Sequence, residues 1–382
     1  MSLPPGFTLL QVTPALDAGG VERTTVDVAA AVVAAGGRAI VASAGGRLEG
    51  ELAEAGGELA RLPVQSKNPF VAFANARALE ALIARERVSI VHARSRAPAF
   101  PALKAARAAG VPFVATYAGV YSARSPLKRW YNGVMCRGDL VIANSAYTRA
   151  HLIAEHAVDP AKVVAIPRGI DLSAFDPAAV APERVARLRR EWGLDGRPAL
   201  LLAGRLTRWK GQGLVLEALA RLKDEGLHDL LVVFAGDDQG RTGYRAELER
   251  GIAAFGLADR VRMVGHCTDM PAAYLAADLA LAPSLRPEAF GRTAVEPQAM
   301  GRPVLAADHG GARETVLEGE TGWLVAPGDP AAWAAALTEA LGAGPPAWAR
   351  MGEEGRAHAR ALFSVEAMTR ATLEAYAGLL AR

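Results

Sequence analysis

A chain of 382 residues, 51% of them hydrophobic, is too long for one ordinary core and predicts two domains, each able to bury its own. The net charge of +3 marks neither a strongly basic nor a strongly acidic protein, and no RNA- or DNA-binding motif is present, so no nucleic-acid partner is expected. No apolar run reaches the roughly 18 residues of a membrane span. The opening residues lack the basic start and small-residue cleavage site of a signal peptide, and Cys136 and Cys267 form neither a metal-ligand pattern nor a disulfide framework; a cytoplasmic location is expected.

Short apolar runs alternate with Ala-rich helical stretches along the whole chain. In the first half the predicted strands are Thr8–Val12, Ala39–Ala42, Ser89–Val91, Phe113–Ala115, Leu140–Ala143 and Val163–Ile166. After Pro167-Arg168-Gly169 comes a proline-rich stretch without sustained period, then a charged helix over Pro182–Trp192. The second set of strands is Leu200–Ala203, Leu231–Ala235, Val261–Val264, Leu279–Ala282, Val304–Ala306 and Trp323–Val325. Continuous apolar runs suit strands buried on both faces, and strand–helix alternation makes parallel sheets. The expected fold is α/β: two Rossmann-like, doubly wound domains over residues 1–170 and 171–360, facing across a cleft. Pro345-Pro346 is expected to end the regular second domain, and a terminal helix over 361–382 to cross back to the first.

Charge is unevenly spread. Between Arg94 and Arg149 nine Lys or Arg stand against the single acid Asp139. Within that block Tyr121, Arg124, Lys128, Arg129, Trp130 and Tyr131 interleave cations with aromatic rings, a composition that suits an anionic membrane interface.

The most informative stretch runs from Pro287 to Gly301, after the strand Leu279–Ala282. Pro297 lacks an amide hydrogen and is best tolerated in a first helical turn, which places the predicted helix start near Glu296. Gly291 and its neighbours then offer backbone N–H groups and the positive end of a helix dipole to a phosphate. Glu288 and Glu296 flank that seat; carboxylates repel phosphate, so their suitable partners are hydroxyls. A second motif, Gly204-Arg205-Leu206-Thr207-Arg208-Trp209-Lys210-Gly211, follows the strand Leu200–Ala203 and sets Arg205 and Lys210, with Arg208 between them, on one loop within reach of a diphosphate.

Glu288-x-Phe290-Gly291-x-x-x-x-Glu296 resembles the signature of the retaining GT-B glycosyltransferases, the family of phosphatidylinositol mannosyltransferases and lipopolysaccharide-core glucosyltransferases. That resemblance implies that Glu288 contacts hydroxyls of the transferred sugar and Glu296 holds a ribose. It also implies that the Phe290, Gly291, Arg292 and Thr293 backbone faces the phosphates. The Gly204–Gly211 segment is similar to the family's Gly-Arg-Leu-x-x-x-Lys-Gly element, in which Arg205 and Lys210 would stabilise the leaving diphosphate. Gly19-Gly20-Val21-Glu22 resembles the family's loop over the donor phosphates. His266, in Gly265-His266-Cys267-Thr268, falls where the family binds the nucleobase, and Gly310-Gly311-Ala312-Arg313-Glu314 resembles a further family segment whose Glu314 reads as structural or functional.

One position departs from the pattern. Thr116-Tyr117-Ala118-Gly119 stands where the family commonly has Thr-x-His-Gly, so Ala118 replaces a histidine that usually hydrogen-bonds the sugar. His92, ending the preceding strand, is a candidate to compensate.

What the resemblance implies is transfer of a sugar, with retention, from a nucleoside-diphosphate sugar to an anionic glycolipid, lipopolysaccharide-type or saccharide acceptor at the inner membrane surface. No cofactor and no metal are expected, since cations on the protein take the metal's place and Asp237-Asp238 stands alone as an acidic pair. Two other readings stay open: a sugar-nucleotide 2-epimerase on the same fold, betrayed by donor turnover without acceptor, and a catalytically weakened donor- or lipid-binding variant.

Overall fold

A computed structural model of the chain describes residues 3–17, 19–121, 125–224, 229–240 and 242–382. Arg124, part of the basic run, lies outside the described residues. The chain divides into two compact units, Met1–Gly169 with Val365–Arg382, and Ile170–Ser364.

The first unit is built on seven strands: β1 (Thr8–Val12), β2 (Arg38–Ser43), β3 (Glu58–Arg61), β4 (Ile90–Ala93), β5 (Phe113–Tyr117), β6 (Leu140–Ala143) and β7 (Val163–Ala165). They form one parallel sheet in the order β3-β2-β1-β4-β5-β6-β7. Sequence reading predicts six strands here and misses β3. That strand is an edge bounded by Glu58 and Arg61 with only partly buried residues between, so it lacks the apolar run that marks its neighbours.

The second unit has β8 (Ala199–Ala203), β9 (Leu231–Ala235), β10 (Val261–Gly265), β11 (Leu279–Ala282), β12 (Val304–Ala307) and β13 (Gly322–Val325), again parallel, in the order β10-β9-β8-β11-β12-β13. In both sheets the order reverses between the first and fourth strands, β1 beside β4 and β8 beside β11. Such a reversal opens a crevice at the carboxyl ends of the strands, where this class of sheet binds ligands.

Among the helices beside these sheets are α1 (Gly20–Ala34), α2 (Pro69–Glu86), α3 (Arg96–Ala109), α4 (Pro126–Asn132), α5 (Pro182–Glu191), α6 (Arg292–Ala299), α7 (Pro330–Leu362) and α8 (Val365–Leu380). Their starts are set by local chemistry. Asn68 accepts a hydrogen bond from Phe70 N ahead of Pro69, and Asp329 accepts from Ala331 N and Ala332 N ahead of Pro330. Pro345-Pro346 does not end the second unit. The chain turns non-helical at Gly344 (φ 72°) and resumes helix to Leu362, with Trp348 and Met351 buried in that unit's core. The break comes instead at Phe363-Ser364. Beyond it α8 packs Met368 and Tyr376 into the core of the first unit against residues of α1 and the sheet.

Candidate active site

In the second unit the two motifs lie on the loops that leave β8 and β11, either side of the strand-order reversal. Gly211 (φ 83°) lets these loops touch: a Cβ there would stand 2.0 Å from Pro283 O. The approach brings Lys210 Nζ to 2.8 Å from Glu288 Oε1, although 78 residues separate them in sequence. Ser284 Oγ donates to the same carboxylate oxygen, and Lys210 also stands over the Trp209 ring, 4.7 Å from its centroid. The carboxylate that flanks a phosphate seat is therefore held by a cation and a hydroxyl, which offsets its repulsion of an anionic ligand.

Backbone braces this loop from the far side. Gly311 N donates to Glu288 O at 2.9 Å. A Cβ on Gly310 would stand 2.6 Å from the same carbonyl, so the paired glycines of that segment serve to support the Glu288 loop. Ser284, Glu288, Gly291, Thr293 and His309 line one small pocket, and His309 Nε2 lies 2.7 Å from Ser284 O. Neither Ser284 nor His309 carried a role in the sequence reading; their only signal is that they follow β11 and β12 directly.

The helix after Gly291 begins earlier than expected. Gly291 (φ 89°) caps α6, whose first residue is Arg292, and Pro297 lies in the second turn. Proline there removes the amide that would bond to the Thr293 carbonyl, a cost an eight-residue helix tolerates. The correction moves the helix start onto Phe290–Thr293, the segment expected to face phosphates, and leaves Glu296 one turn into the helix. Glu296 is 6% exposed; it pairs with Arg292 at 2.6 Å and accepts from Tyr274 Oη at 3.1 Å. Burial and the Glu296 charge push the Tyr274 phenol well above its ordinary value, so it stays a donor. Phe290 is buried against Phe363, anchoring the motif to the end of α7.

The remaining residues of this half are spread along the same sheet edge. Gly204 sits beside the Lys210 side chain. Arg205 is exposed and directed to Gln239, 3.4 Å away. Arg208, which matched no family position, is engaged by Glu247 and the Tyr244 ring. His266 is exposed at the end of β10, the outermost strand, and has no contact with the Lys210–Glu288 pair among the described residues.

In the first unit, Gly20, Arg94, Thr116, Ala118, Asn144 and Arg168 line a pocket of about 40 Å³ at the strand ends. The Arg168 guanidinium packs directly against Gly20, and Gly19 lies under the Glu22 carboxylate. Asn144 Nδ2 donates to Ala118 O at 3.3 Å. His92 does not stand in for the missing histidine. It is fully buried, with one ring nitrogen on Tyr376 Oη of α8 and the other 2.7 Å from Thr116 Oγ1. Burial, with Arg94 nearby, holds its imidazole well below the usual histidine range. A neutral ring with both nitrogens engaged is a structural joint.

The basic block is largely used inside the fold. Arg94 is buried on Gln11, Arg107 pairs with Asp139 and Arg129 with Glu155, and Arg149 bonds the carbonyls of Val163 and Pro160. Among the described residues no helix is long and apolar enough to cross a membrane, and no group of His, Cys, Asp and Glu forms a metal site.

Residues 185–358 match the family model of glycosyl transferases group 1, and residues 18–174 that of glycosyltransferase family 4. A crystallised glycosyltransferase from Rickettsia africae is 34% identical with a TM-score of 0.88, over 98% of this chain and 99% of that one. Anabaena HepE, solved with UDP and glucose, is 25% identical with a TM-score of 0.79, over 96% and 98%. D-inositol 3-phosphate glycosyltransferase of Geodermatophilus obscurus is 37% identical over 214 residues, 54% of this chain and 46% of that protein. The chain spans about half the length of the curated relatives it matches.

Proposed function

The chain belongs to the group 1 glycosyltransferases, enzymes of the GT-B fold, and on that premise we propose that it transfers a sugar from UDP-sugar, with retention, to an anionic glycolipid or saccharide acceptor at a membrane surface. The observation that carries the reading is the Lys210–Glu288 pair at the start of α6. A cation for a leaving diphosphate and a carboxylate for sugar hydroxyls meet at 2.8 Å on the two loops flanking the strand-order reversal. Support for UDP comes from the UDP and glucose bound by HepE. Support for an anionic acceptor comes from the inositol phosphate in the name of the Geodermatophilus obscurus relative and from Arg168, whose guanidinium lines the first unit's pocket beside Gly20.

In this reading the diphosphate takes Lys210, with Arg205 swinging from the exposed Gln239 contact, and the amides at the head of α6 meet the remaining charge. That is stabilisation aimed where negative charge develops. The acceptor oxygen bonds to the anomeric carbon as the bond to the phosphate oxygen breaks, and the acceptor proton passes to that phosphate oxygen on the same face. Glu288, released from Lys210, is left to orient the sugar hydroxyls. Glu296, held by Tyr274 and Arg292, presents its carboxylate to the ribose, and no side chain need act as nucleophile.

Calorimetry with UDP, GDP and ADP tests the assignment. UDP is expected to bind tightest, and Lys210→Ala to lose about 1.5–3 kcal/mol, roughly ten- to a hundredfold in affinity. Undiminished UDP affinity in that variant would remove Lys210 from the site.

A further inference from the structure

We infer that the groove bounded by α2, α3 and α4 of the first unit is a docking surface for an anionic lipid bilayer, the partner that a membrane-borne acceptor requires; only this purpose rests on the function proposed above. The groove encloses about 490 Å³ and is lined by Lys67, Pro69, Phe73, Phe100, Lys104 and Trp130 among others, with no carboxylate among its lining residues. Its rim exposes large apolar side chains: Phe70 is 85% exposed, Leu127 74%, Trp130 53% and Phe73 47%. Phe70 and Phe73 are one turn apart on α2, and Leu127 and Trp130 one turn apart on α4, so each pair shares a helix face. The Asn68 cap and Pro69 start α2 one residue before Phe70, which fixes that ring in the exposed first turn. Apolar surface gathered this way on a folded protein marks an interaction face.

The cations here differ from those spent inside the fold. Arg77 and Lys104 both stand over the Phe73 ring, 4.6 and 4.3 Å from its centroid, and Arg137 stands 5.9 Å from that of Trp130. With Lys67 and Lys128 they form no ion pair among the described residues, in contrast to Arg107 and Arg129 nearby. Two like charges gathered on one ring repel each other until an anion sits between them. Aromatic rings with cations at their edges match the boundary of a bilayer, rings toward the acyl layer and charge at the headgroups. A second copy of this chain would bring one cationic rim against another, which like-charge repulsion opposes. The surface thus includes α2, outside the basic 94–149 block, and excludes the paired members of that block.

Vesicle co-sedimentation of the whole chain at low salt tests this, using phosphatidylcholine alone and phosphatidylcholine with phosphatidylglycerol. Binding to the acidic vesicles only is expected. Phe70→Ser with Trp130→Ser should weaken it about tenfold per ring removed, and Lys67→Ser with Lys104→Ser about fivefold per charge. Trp130→Phe should keep most of the binding, while Arg129→Ser should leave it intact. UDP affinity and melting temperature should match the parent in every variant. Failure of the parent to bind acidic vesicles, or undiminished binding by the Phe70/Trp130 variant, overturns the proposal. So does self-association of the parent that this variant abolishes, which would assign the face to a second copy. Loss of UDP binding by the parent would count against the enzymatic reading and leave the vesicle result standing.

Discussion

In the second unit the loops leaving β8 and β11 meet as charged partners, Lys210 on Glu288, with Arg292 on Glu296 at the next turn. At the matching ends of β1, β4 and β5 in the first unit the contacts are of another kind. His92, Thr116, Arg94 and Gln11 form a hydrogen-bonded group, and the lining of the adjoining pocket carries cations and no carboxylate. Both sheets reverse strand order at the same place, so topology supplies each with a crevice and does not choose its ligand. The side chains choose. Mixed charges suit a ligand that offers both phosphates and hydroxyls, whereas cations beside neutral donors suit an anionic one.

The largest expected effect breaks the mixed-charge half. Glu288→Ala should lower turnover on the order of a hundred- to a thousandfold, the scale of losing a polar group aimed at the reacting centre, with UDP affinity largely kept. Glu296→Ala, by contrast, should weaken UDP itself. It strips partners from Tyr274 and Arg292, so Glu296→Gln and a melting temperature for each variant separate lost contact from lost fold. Equal loss of UDP affinity in both glutamate variants would erase the distinction between sugar and ribose roles.

A smaller effect is expected in the first unit, at Ala118. It lines the pocket between Gly20 and Asn144 and offers no side-chain hydrogen bond. Ala118→His should raise the transfer rate about tenfold, the worth of one regained hydrogen bond, with UDP affinity unchanged. Flat or lower turnover would mean that the first unit has settled on an arrangement without that histidine. His92 is not the substitute, because both its nitrogens are taken.

The smallest effect concerns that joint. The native state keeps His92 neutral, while in the unfolded chain it takes up a proton below about pH 6.5. The unfolded state then binds more protons, so stability is fully present above that pH and falls as acid is added, by at most about 1.4 kcal/mol per pH unit from this group. His156 and His358 are also shifted down by burial and contribute the same sign. Urea unfolding between about pH 7.5 and 5 should therefore show a shallower acid loss in His92→Gln than in the parent. An unchanged slope would place the proton uptake elsewhere.

The central strands of both sheets are legible in the chain because being covered on both faces requires continuous apolar runs, as at Leu140–Ala143 and Leu231–Ala235. The edge strand β3 is not, since an edge needs no such run. The two strand-end motifs are readable for a similar reason: a tight loop at a strand end needs glycine, as at Gly211 (φ 83°) and Gly291 (φ 89°). Misreading arises where a local rule yields to context. Pro297 has the marks of a first-turn proline, yet α6 already starts at Arg292, directly after Gly291.

By itself, then, the sequence determined two parallel-sheet units and the residue types on their strand-end loops, because periodicity and turn chemistry act over a few neighbouring residues. Only the tertiary structure decided which of those residues meet. Lys210 and Glu288 are joined through the contact of Gly211 with Pro283, and His92 is withdrawn into a core closed by Tyr376 of α8. The paired arginines of the basic block are likewise set apart from Arg137 by acids that lie next to them in space: Asp139 is 32 residues from Arg107, and Glu155 is 26 from Arg129. Contacts of that kind arise from packing, which a pattern along the chain does not encode.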